Sequence, residues 1–257
     1  MSIKLRERAG IVVMRAGRAF GIGTIRIPFG VLRGKKWQFT SSIPSCAFGT
    51  YEQHIATRLQ GRLKAGSVFF DIGANVGYYT LFASTLVGDS GRVISFEPEP
   101  GNMQMLVEHT TINKCINVIP VQKALSDAPG IVRFDGTAHT MCKFSDDGNI
   151  EVECTTLDTF IQDSGISPDI LKMDVEGAEV KALHGADSCL SEIRPEIVLS
   201  VHDGLLDECL GILSGYDYSI EQLSPDDLYR APLEKKLVPR HPQMPDKGAI
   251  VLPMHHL

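Results

Sequence analysis

Three acids crowd into the segment Leu171-Lys172-Met173-Asp174-Val175-Glu176-Gly177-Ala178-Glu179. Carboxylates this close repel one another, so at least one is expected to hold its proton more tightly than usual. At a strand end, Lys172 and Asp174 project to the same side. In a helix begun at Glu176, Glu176 and Glu179 share a face. The pattern nominates Asp174 and Glu176 for chemistry and Glu179 for complementing a helix dipole. His202, in Leu199-Ser200-Val201-His202, adds a group that titrates near neutral pH and can act as a base. With a hydroxyl as acceptor, His202 or Asp174 would take the proton, and Lys172 or Glu176 would orient the acceptor.

A second constellation is Asp71-Ile72-Gly73-Ala74-Asn75-Val76-Gly77 between an apolar run and a helical stretch. Its glycines allow a sharp turn and close approach of a ligand to the main chain. A dinucleotide fingerprint would need glycine at positions 73, 75 and 78, where this chain has Gly73, Asn75 and Tyr78. An acid at the strand end also repels phosphate and attracts a cation, so the loop suits a ligand with ammonium and sulfonium groups. Glu97, in Phe96-Glu97-Pro98, lies 26 residues beyond Asp71, where an acid accepts from ribose hydroxyls. Ala124-Leu125-Ser126-Asp127 follows the next strand; Asp127 is placed to accept from an adenine amino group, with Ala124 and Leu125 flanking the ring. Tyr51, Tyr229 and His241 are candidate acceptor contacts. No metal site is expected, although Asp174, Glu176, Asp203 and His202 could hold a hard divalent cation.

The elements that must position these residues alternate. Tyr51, Ile55, Leu59 and Leu63 have helical spacing over 49–63. Strands are expected at Val68–Ile72, Arg92–Phe96, Asn117–Gln122, Ile170–Met173 and Ile197–His202, with helices at Tyr78–Val87, Pro100–Asn113, Glu176–Leu183 and Leu205–Leu213. Gly130–Phe134 and Ile150–Thr155 read as extended, and Thr159–Ser164 as a short helix. Tyr218–Gln222 and Ala249–Leu252 read as a closing pair of strands. Such alternation builds a mostly parallel sheet covered on both faces.

With 257 residues the chain can bury a core without disulfide staples. The net charge of −6 is uneven: residues 1–36 carry nine Lys or Arg against Glu7, which makes that segment +8 and the remainder −14. An acidic body argues against a general nucleic-acid binder, while the basic arm could touch an anionic membrane surface. The six cysteines form no Cys-x-x-Cys pair, and no apolar run has the length of a signal or membrane segment. Reduced thiols in the cytoplasm are the expectation. We expect a basic arm and substrate cap over 1–48 and a catalytic domain over 49–257.

Val68 to Tyr79, Phe96-Glu97-Pro98, Lys123 to Asp127, Thr156-Leu157-Asp158 and Leu171 to Glu179 together resemble the FkbM family of S-adenosylmethionine-dependent methyltransferases. The resemblance spans roughly residues 49–252 and leaves the basic arm outside. It implies a class I methyltransferase (Rossmann-like) sheet of seven strands, mostly parallel, with an antiparallel last strand. It also implies O-methylation of a hydroxyl on a sugar, polyketide or related natural product, with S-adenosylmethionine as cofactor. By the same resemblance Asp71, Gly73, Asn75 and Gly77 line the methionine end, Glu97 holds the ribose and Asp127 the adenine. Asp174 and Glu176 then face the methyl group and acceptor, and His202 is carried as a hypothesis. The rival readings are a non-catalytic protein that keeps the cofactor fold and a nicotinamide-dependent oxidoreductase.

Overall fold

A computed structural model describes residues 21, 23–135, 143–144, 150–202, 204–222 and 248–253. Its N-terminal part holds strands β1 (Thr24–Arg26) and β2 (Lys36–Gln38), then helices α1 (Pro44–Phe48) and α2 (Gln53–Arg62). The alternating body follows with β3 (Val68–Ile72), α3 (Tyr78–Val87), β4 (Arg92–Phe96), α4 (Pro100–Ile112) and β5 (Val118–Val121). Four short strands come next: β6 (Ala124–Leu125), β7 (Gly130–Asp135), β8 (Lys143–Phe144) and β9 (Ile150–Thr155). The chain continues through α5 (Leu157–Ser164), β10 (Ile170–Met173), α6 (Glu179–His184), a π-helical turn at Cys189–Ile193, β11 (Glu196–Val201), α7 (Leu206–Gly215), β12 (Ser219–Gln222) and β13 (Gly248–Pro253).

The main sheet has seven strands in the order β12-β13-β11-β10-β3-β4-β5. Every pair in it is parallel. The expected antiparallel last strand is therefore corrected: β13 runs parallel to both β11 and β12. Residues 223–247 separate β12 from β13, room for the crossover of about a dozen residues or more that a parallel pair needs. A second sheet has four strands in the order β6-β9-β7-β8.

Strands buried on both faces alternate between two cores. Phe69, Val93, Ile170, Val198 and Ile250 join one apolar cluster with Leu59, Leu81 and Trp37. Phe70, Ile72, Ile94, Leu171, Met173 and Leu199 join the other, with Leu183 and Leu213. Helix α3 buries eight of its ten residues, because it lies between the sheet and the N-terminal segment. That segment is not a solvated arm in its described part: Ile27, Leu32, Trp37 and Phe39 belong to the same core as the sheet. His109 of α4 clamps it there. The ring stacks on Trp37 at 3.8 Å, its Nε2 accepts from the Gln38 N–H at 3.0 Å, and its Nδ1–H donates to the Val76 carbonyl at 2.7 Å.

The local reasons for helix starts are plain at two places. Glu99 caps α4 by accepting from the Asn102 N–H at 2.6 Å, with Pro100 in the first turn. Thr156 caps α5 by accepting from the Thr159 N–H at 2.9 Å. The helix expected from residue 49 starts later, at Gln53, because Glu52 takes a left-handed conformation (φ 37°) at its N-cap. Among the described residues no helix is long and apolar enough to cross a membrane, and Cys46, Cys115, Cys154 and Cys209 are free thiols.

Candidate active site

A cavity of about 330 Å³ opens at the C-terminal edge of β3, β4 and β10. Parallel α/β sheets place their ligands at this edge. Asp71, Gly73, Asn75, Glu97, Ala124, Leu125, Lys172, Asp174, Glu176 and Tyr51 all line it. Strand register explains the centre of the site. Lys172 of β10 pairs directly with Asp71 of β3, which pairs with Ser95 of β4, so the three sit side by side on one face. Asp71 is wholly buried; Thr80 of α3 donates to its Oδ2 at 2.7 Å, while Oδ1 has no hydrogen-bond partner. Burial pushes the Asp71 carboxyl above the usual range, although Lys172 and Thr80 work against it.

Lys172 is 3% exposed. Its Nζ lies 3.3 Å from Asp174 Oδ2 and 5.1 Å from the Tyr79 ring centroid. Burial alone would pull the ammonium down, but Asp174, Asp71 and Glu52 outweigh it and hold it above its ordinary value. Lys172 is thus a fixed cation among three carboxyls.

The glycine loop is saturated from within. The Gly73 and Ala74 N–H groups both donate to the Phe96 carbonyl, at 3.0 and 2.9 Å. The Asn75 N–H donates to Glu97 Oε2 at 2.7 Å, and Gly77 N–H to the Ala74 carbonyl at 2.9 Å. Gly73 is required: its φ is +76°, and a Cβ there would lie 1.8 Å from the Asp174 carbonyl oxygen. Gly77 serves differently from expectation. It is absent from the cavity wall and lets the start of α3 pack against Leu106, which a Cβ would meet at 3.0 Å. Glu97 also accepts from the Glu99 N–H at 3.0 Å and from Asn102 Nδ2 at 3.3 Å. Burial still raises its carboxyl to about 7, against those donors.

His202 sits behind the cavity wall and ties two acids together. Its Nδ1 is 2.6 Å from Glu179 Oε1, and its Nε2 is 3.1 Å from Glu176 Oε2 and 3.9 Å from Asp174 Oδ1. Burial would lower the imidazole, but hydrogen bonds to Glu176 and Glu179 and the charge of Asp174 raise it to about 10. At neutral pH it is an imidazolium with no lone pair, so it cannot be the base. Glu179 stands in the first turn of α6 as expected and does more there: fully buried, it grips His202 and accepts from the Gly177 N–H at 3.1 Å. Glu176 does not share a helical face with it, because Glu176 and Gly177 take positive φ (51° and 99°) and α6 starts only at Glu179. Asp174, Glu176 and His202 offer ligand atoms within 4.8 Å of one another, a spacing open to a hard cation. With both ring nitrogens of His202 donating, that position already holds a positive charge.

Asp127 is not brought to the site: it is exposed, accepts from Ser126 at 3.0 Å and lies outside the cavity wall, which Ala124 and Leu125 do reach. Tyr229, His241 and Asp203 lie outside the described residues. Residues that sequence reasoning passed over are Glu52, Tyr78, Tyr79 and Asn102. At the cavity Tyr78 meets Tyr51 and Tyr79 edge-on, with centroids at 5.3 and 5.5 Å, and Tyr51 and Tyr79 are tilted to each other at 6.0 Å.

A family model described as the methyltransferase FkbM domain matches residues 71–220, more than half of the chain. The chain belongs to that family. It is 26% identical over 158 residues to the hexuronic acid methyltransferase AglP of Haloferax volcanii, covering 60% of this chain and 64% of the relative, just under two thirds. It is 28% identical over 197 residues to the 31-O-demethyl-FK506 methyltransferase FkbM of Streptomyces tacrolimicus, covering 62% of this chain and 75% of the relative. Among solved structures, a precorrin-6y C5,15-methyltransferase of Geobacter metallireducens overlays with a TM-score of 0.42 at 18% identity, covering 65% of this chain and 71% of that one.

Proposed function

We propose that the chain is an S-adenosylmethionine-dependent O-methyltransferase acting on a hydroxyl of a sugar, polyketide or related small molecule. One observation carries the reading: a wholly buried carboxyl, Asp71, leaves Oδ1 without a partner at a loop whose Gly73 admits no side chain. An orphaned buried carboxylate oxygen needs a donor or a cation, and an ammonium group supplies both. Family membership and the two relatives named above support the same chemistry.

In this reading Asp71, Gly73 and Asn75 hold the methionine end, Glu97 takes the ribose, and Ala124 and Leu125 flank the adenine. When bound, the cofactor supplies an electrophilic methyl group on sulfur. The chain's own part is alignment and proton removal, and alignment alone accounts for several kcal/mol of such a barrier. Asp174 is the base: it stands on the cavity wall, and Lys172 fixes it at 3.3 Å. Glu176, anchored by His202, and Tyr51 orient the acceptor. Ser42, Ile43 and Cys46 also line the cavity, which supports a capping role for residues 1–48 ahead of a catalytic domain over 49–257. A basic arm that meets an anionic surface and a cytoplasmic site of action complete the proposal, the latter supported by the free thiols.

Thermal unfolding with S-adenosylhomocysteine and, separately, with NAD tests the reading. At about 100 times its dissociation constant a ligand adds about 2.7 kcal/mol, or roughly 5–10 °C for a domain of this size. A rise with the homocysteine compound alone is expected. A rise with NAD alone, or with neither, refutes the proposal.

A further inference from the structure

We propose that His109 is a positioning residue that latches residues 36–46 to the glycine loop, and that a proton on its Nε2 opens the latch and weakens binding in the cavity. The proposal adds a control to the site described above, and it rests on the methyl-donor reading only for the ligand that reports it.

His109 stands on α4 and is wholly buried. Each of its ring nitrogens meets a partner with a single role. The Val76 carbonyl, 2.7 Å from Nδ1, can only accept, so Nδ1 carries the proton. The Gln38 N–H, 3.0 Å from Nε2, can only donate, so Nε2 offers its lone pair. One neutral ring thus bridges the glycine loop and the end of β2. Both partners lead to the cavity. Val76 lines it, and four residues after Gln38 the chain enters its wall at Ser42, Ile43 and Cys46. Aromatic rings make the same connection. Trp37, stacked on His109 at 3.8 Å, meets Tyr78 edge-on at 6.1 Å, and Tyr78 meets Tyr51 at 5.3 Å. Helix α4 backs the latch at both ends. Its Asn102 donates to Glu97 in the cavity wall at 3.3 Å, and its C-cap Asn113 exchanges two hydrogen bonds with the Lys36 main chain, at 2.8 and 2.7 Å.

A proton on Nε2 sets one N–H against another, and the bond to Gln38 is lost. An acceptor stands by in Ser41 Oγ, 3.4 Å from Nε2, whose own proton goes to the Gln38 carbonyl at 2.8 Å. Closing on that oxygen while leaving the Gln38 N–H shifts the chain just ahead of Ser42. The surroundings fix the direction of the switch. Trp37, Gln38 and Ser41 on one side and Val76 on the other carry no charge, Tyr78 of α3 lies beyond Trp37, and Lys36 meets α4 through its main chain. The Val76 carbonyl and Glu108, its neighbour on α4, favour the charged ring, but burial outweighs both and holds it below its ordinary 6.5. The latch is closed at neutral pH and opens in acid.

Trp37 is the single tryptophan of the chain, and an imidazolium stacked on an indole quenches its emission. Emission is followed against pH with the helical circular dichroism alongside, without ligand and with saturating S-adenosylhomocysteine. Emission should fall reversibly below pH 6.5 while the helical signal stays native. The ligand should move the midpoint down by about 0.7 pH units or more, the counterpart of a coupling of about five-fold or more. By reciprocity, calorimetry should find the ligand bound at least about five-fold more weakly on the acid side, beyond any loss seen in His109→Phe. A midpoint that the ligand leaves in place overturns the proposal, whether or not the variant folds. So does an emission change that coincides with loss of the helical signal, or an equal loss of affinity in His109→Phe. Absence of binding at about pH 8 refutes the methyl-donor reading instead. Hydrogen exchange in the wild-type protein then decides the latch: residues 38–46 must lose protection across the emission transition while β3 and β10 keep theirs, and unchanged protection overturns it.

Discussion

Replacing Gly73 and Gly177 by alanine separates backbone strain from close packing at the cavity floor. Both residues take positive φ, +76° and +99°. An L-residue forced into the left-handed region costs roughly 1–2 kcal/mol. A stiffer unfolded chain offsets about 0.4–1 kcal/mol of that in either variant. The two sites differ in what a Cβ meets. At Gly177 nothing lies within 4 Å, whereas at Gly73 the Asp174 carbonyl oxygen would be 1.8 Å away. That oxygen belongs to main chain leaving β10, so relieving the contact displaces Asp174 from Lys172. Overpacking of this kind adds roughly 1–3 kcal/mol. Urea unfolding of the two variants should therefore show Gly73→Ala less stable than Gly177→Ala by roughly 1–3 kcal/mol. Stabilisation by S-adenosylhomocysteine should also be lost in Gly73→Ala. Equal stability of the two variants would falsify the close approach of the loop to the Asp174 carbonyl.

Other outcomes follow from buried charges. His202→Ala leaves Glu179 buried without its partner and should destabilise the protein by roughly 3–5 kcal/mol. Because the folded imidazole is raised, its contribution is complete below about pH 6.5 and fades as the pH climbs through about 10. Urea midpoints across that range should fall for the wild-type protein and stay flatter for the variant. His109 runs the other way: burial lowers it, so its contribution is present above the ordinary value of 6.5 and is lost as the pH falls. His109→Phe keeps a ring against Trp37 but should lose that acid sensitivity, measured as the urea midpoint in mildly acidic buffer. Asp71→Asn should leave the melting temperature within a few degrees while weakening S-adenosylhomocysteine binding by roughly 1.5–3 kcal/mol, the worth of a charged hydrogen bond. Unchanged affinity by calorimetry would remove Asp71 from the ligand site.

The sheet and most of the cavity wall were legible because they rest on short-range signals. Short, mostly apolar runs marked β3, β4 and β10; Ile72 and Phe96 at the ends of β3 and β4 reach the cavity, as does Asp174 just past β10. What escaped was decided by contacts distant in sequence. Glu179 does stand at a helix start, but its bond to His202, 23 residues on at 2.6 Å, has no local signal. Glu52 falls inside a helical spacing that begins at Tyr51, and nothing local marks its left-handed backbone at φ 37°. Trp37 and His109 stack across 72 positions, so the basic N-terminal stretch gave no hint that its apolar residues complete the core. The direction of β13 was misread for a related reason. Strand direction at a sheet's end is set by pairing with β11 and β12, which no local pattern in Ala249–Leu252 encodes.

The glycine loop bears on which ligands the cavity can take. A pyrophosphate site works by leaving main-chain N–H groups unpaired at a helix N-terminus, aimed at the anion. In this chain the N–H groups of residues 73 to 77 are already engaged. Phe96 takes two of them, Glu97 takes that of Asn75, and the Asn75 side chain takes that of Val76 at 2.8 Å. The Ala74 carbonyl takes the last. A phosphate placed there would meet no free donor and would face Asp71, Glu97 and Asp174 instead. Glu97 therefore has two consequences from one position: it closes the loop to anions, and it adds a carboxylate where a ribose hydroxyl can donate. The acids at the strand ends then act together, since each one that repels a phosphate favours a cationic sulfur compound in its place. Glu97→Gln tests the coupling, because it weakens the hold on the Asn75 N–H and removes one of those acids. S-adenosylhomocysteine should bind more weakly to that variant, and inorganic phosphate, measured by competition, should begin to bind.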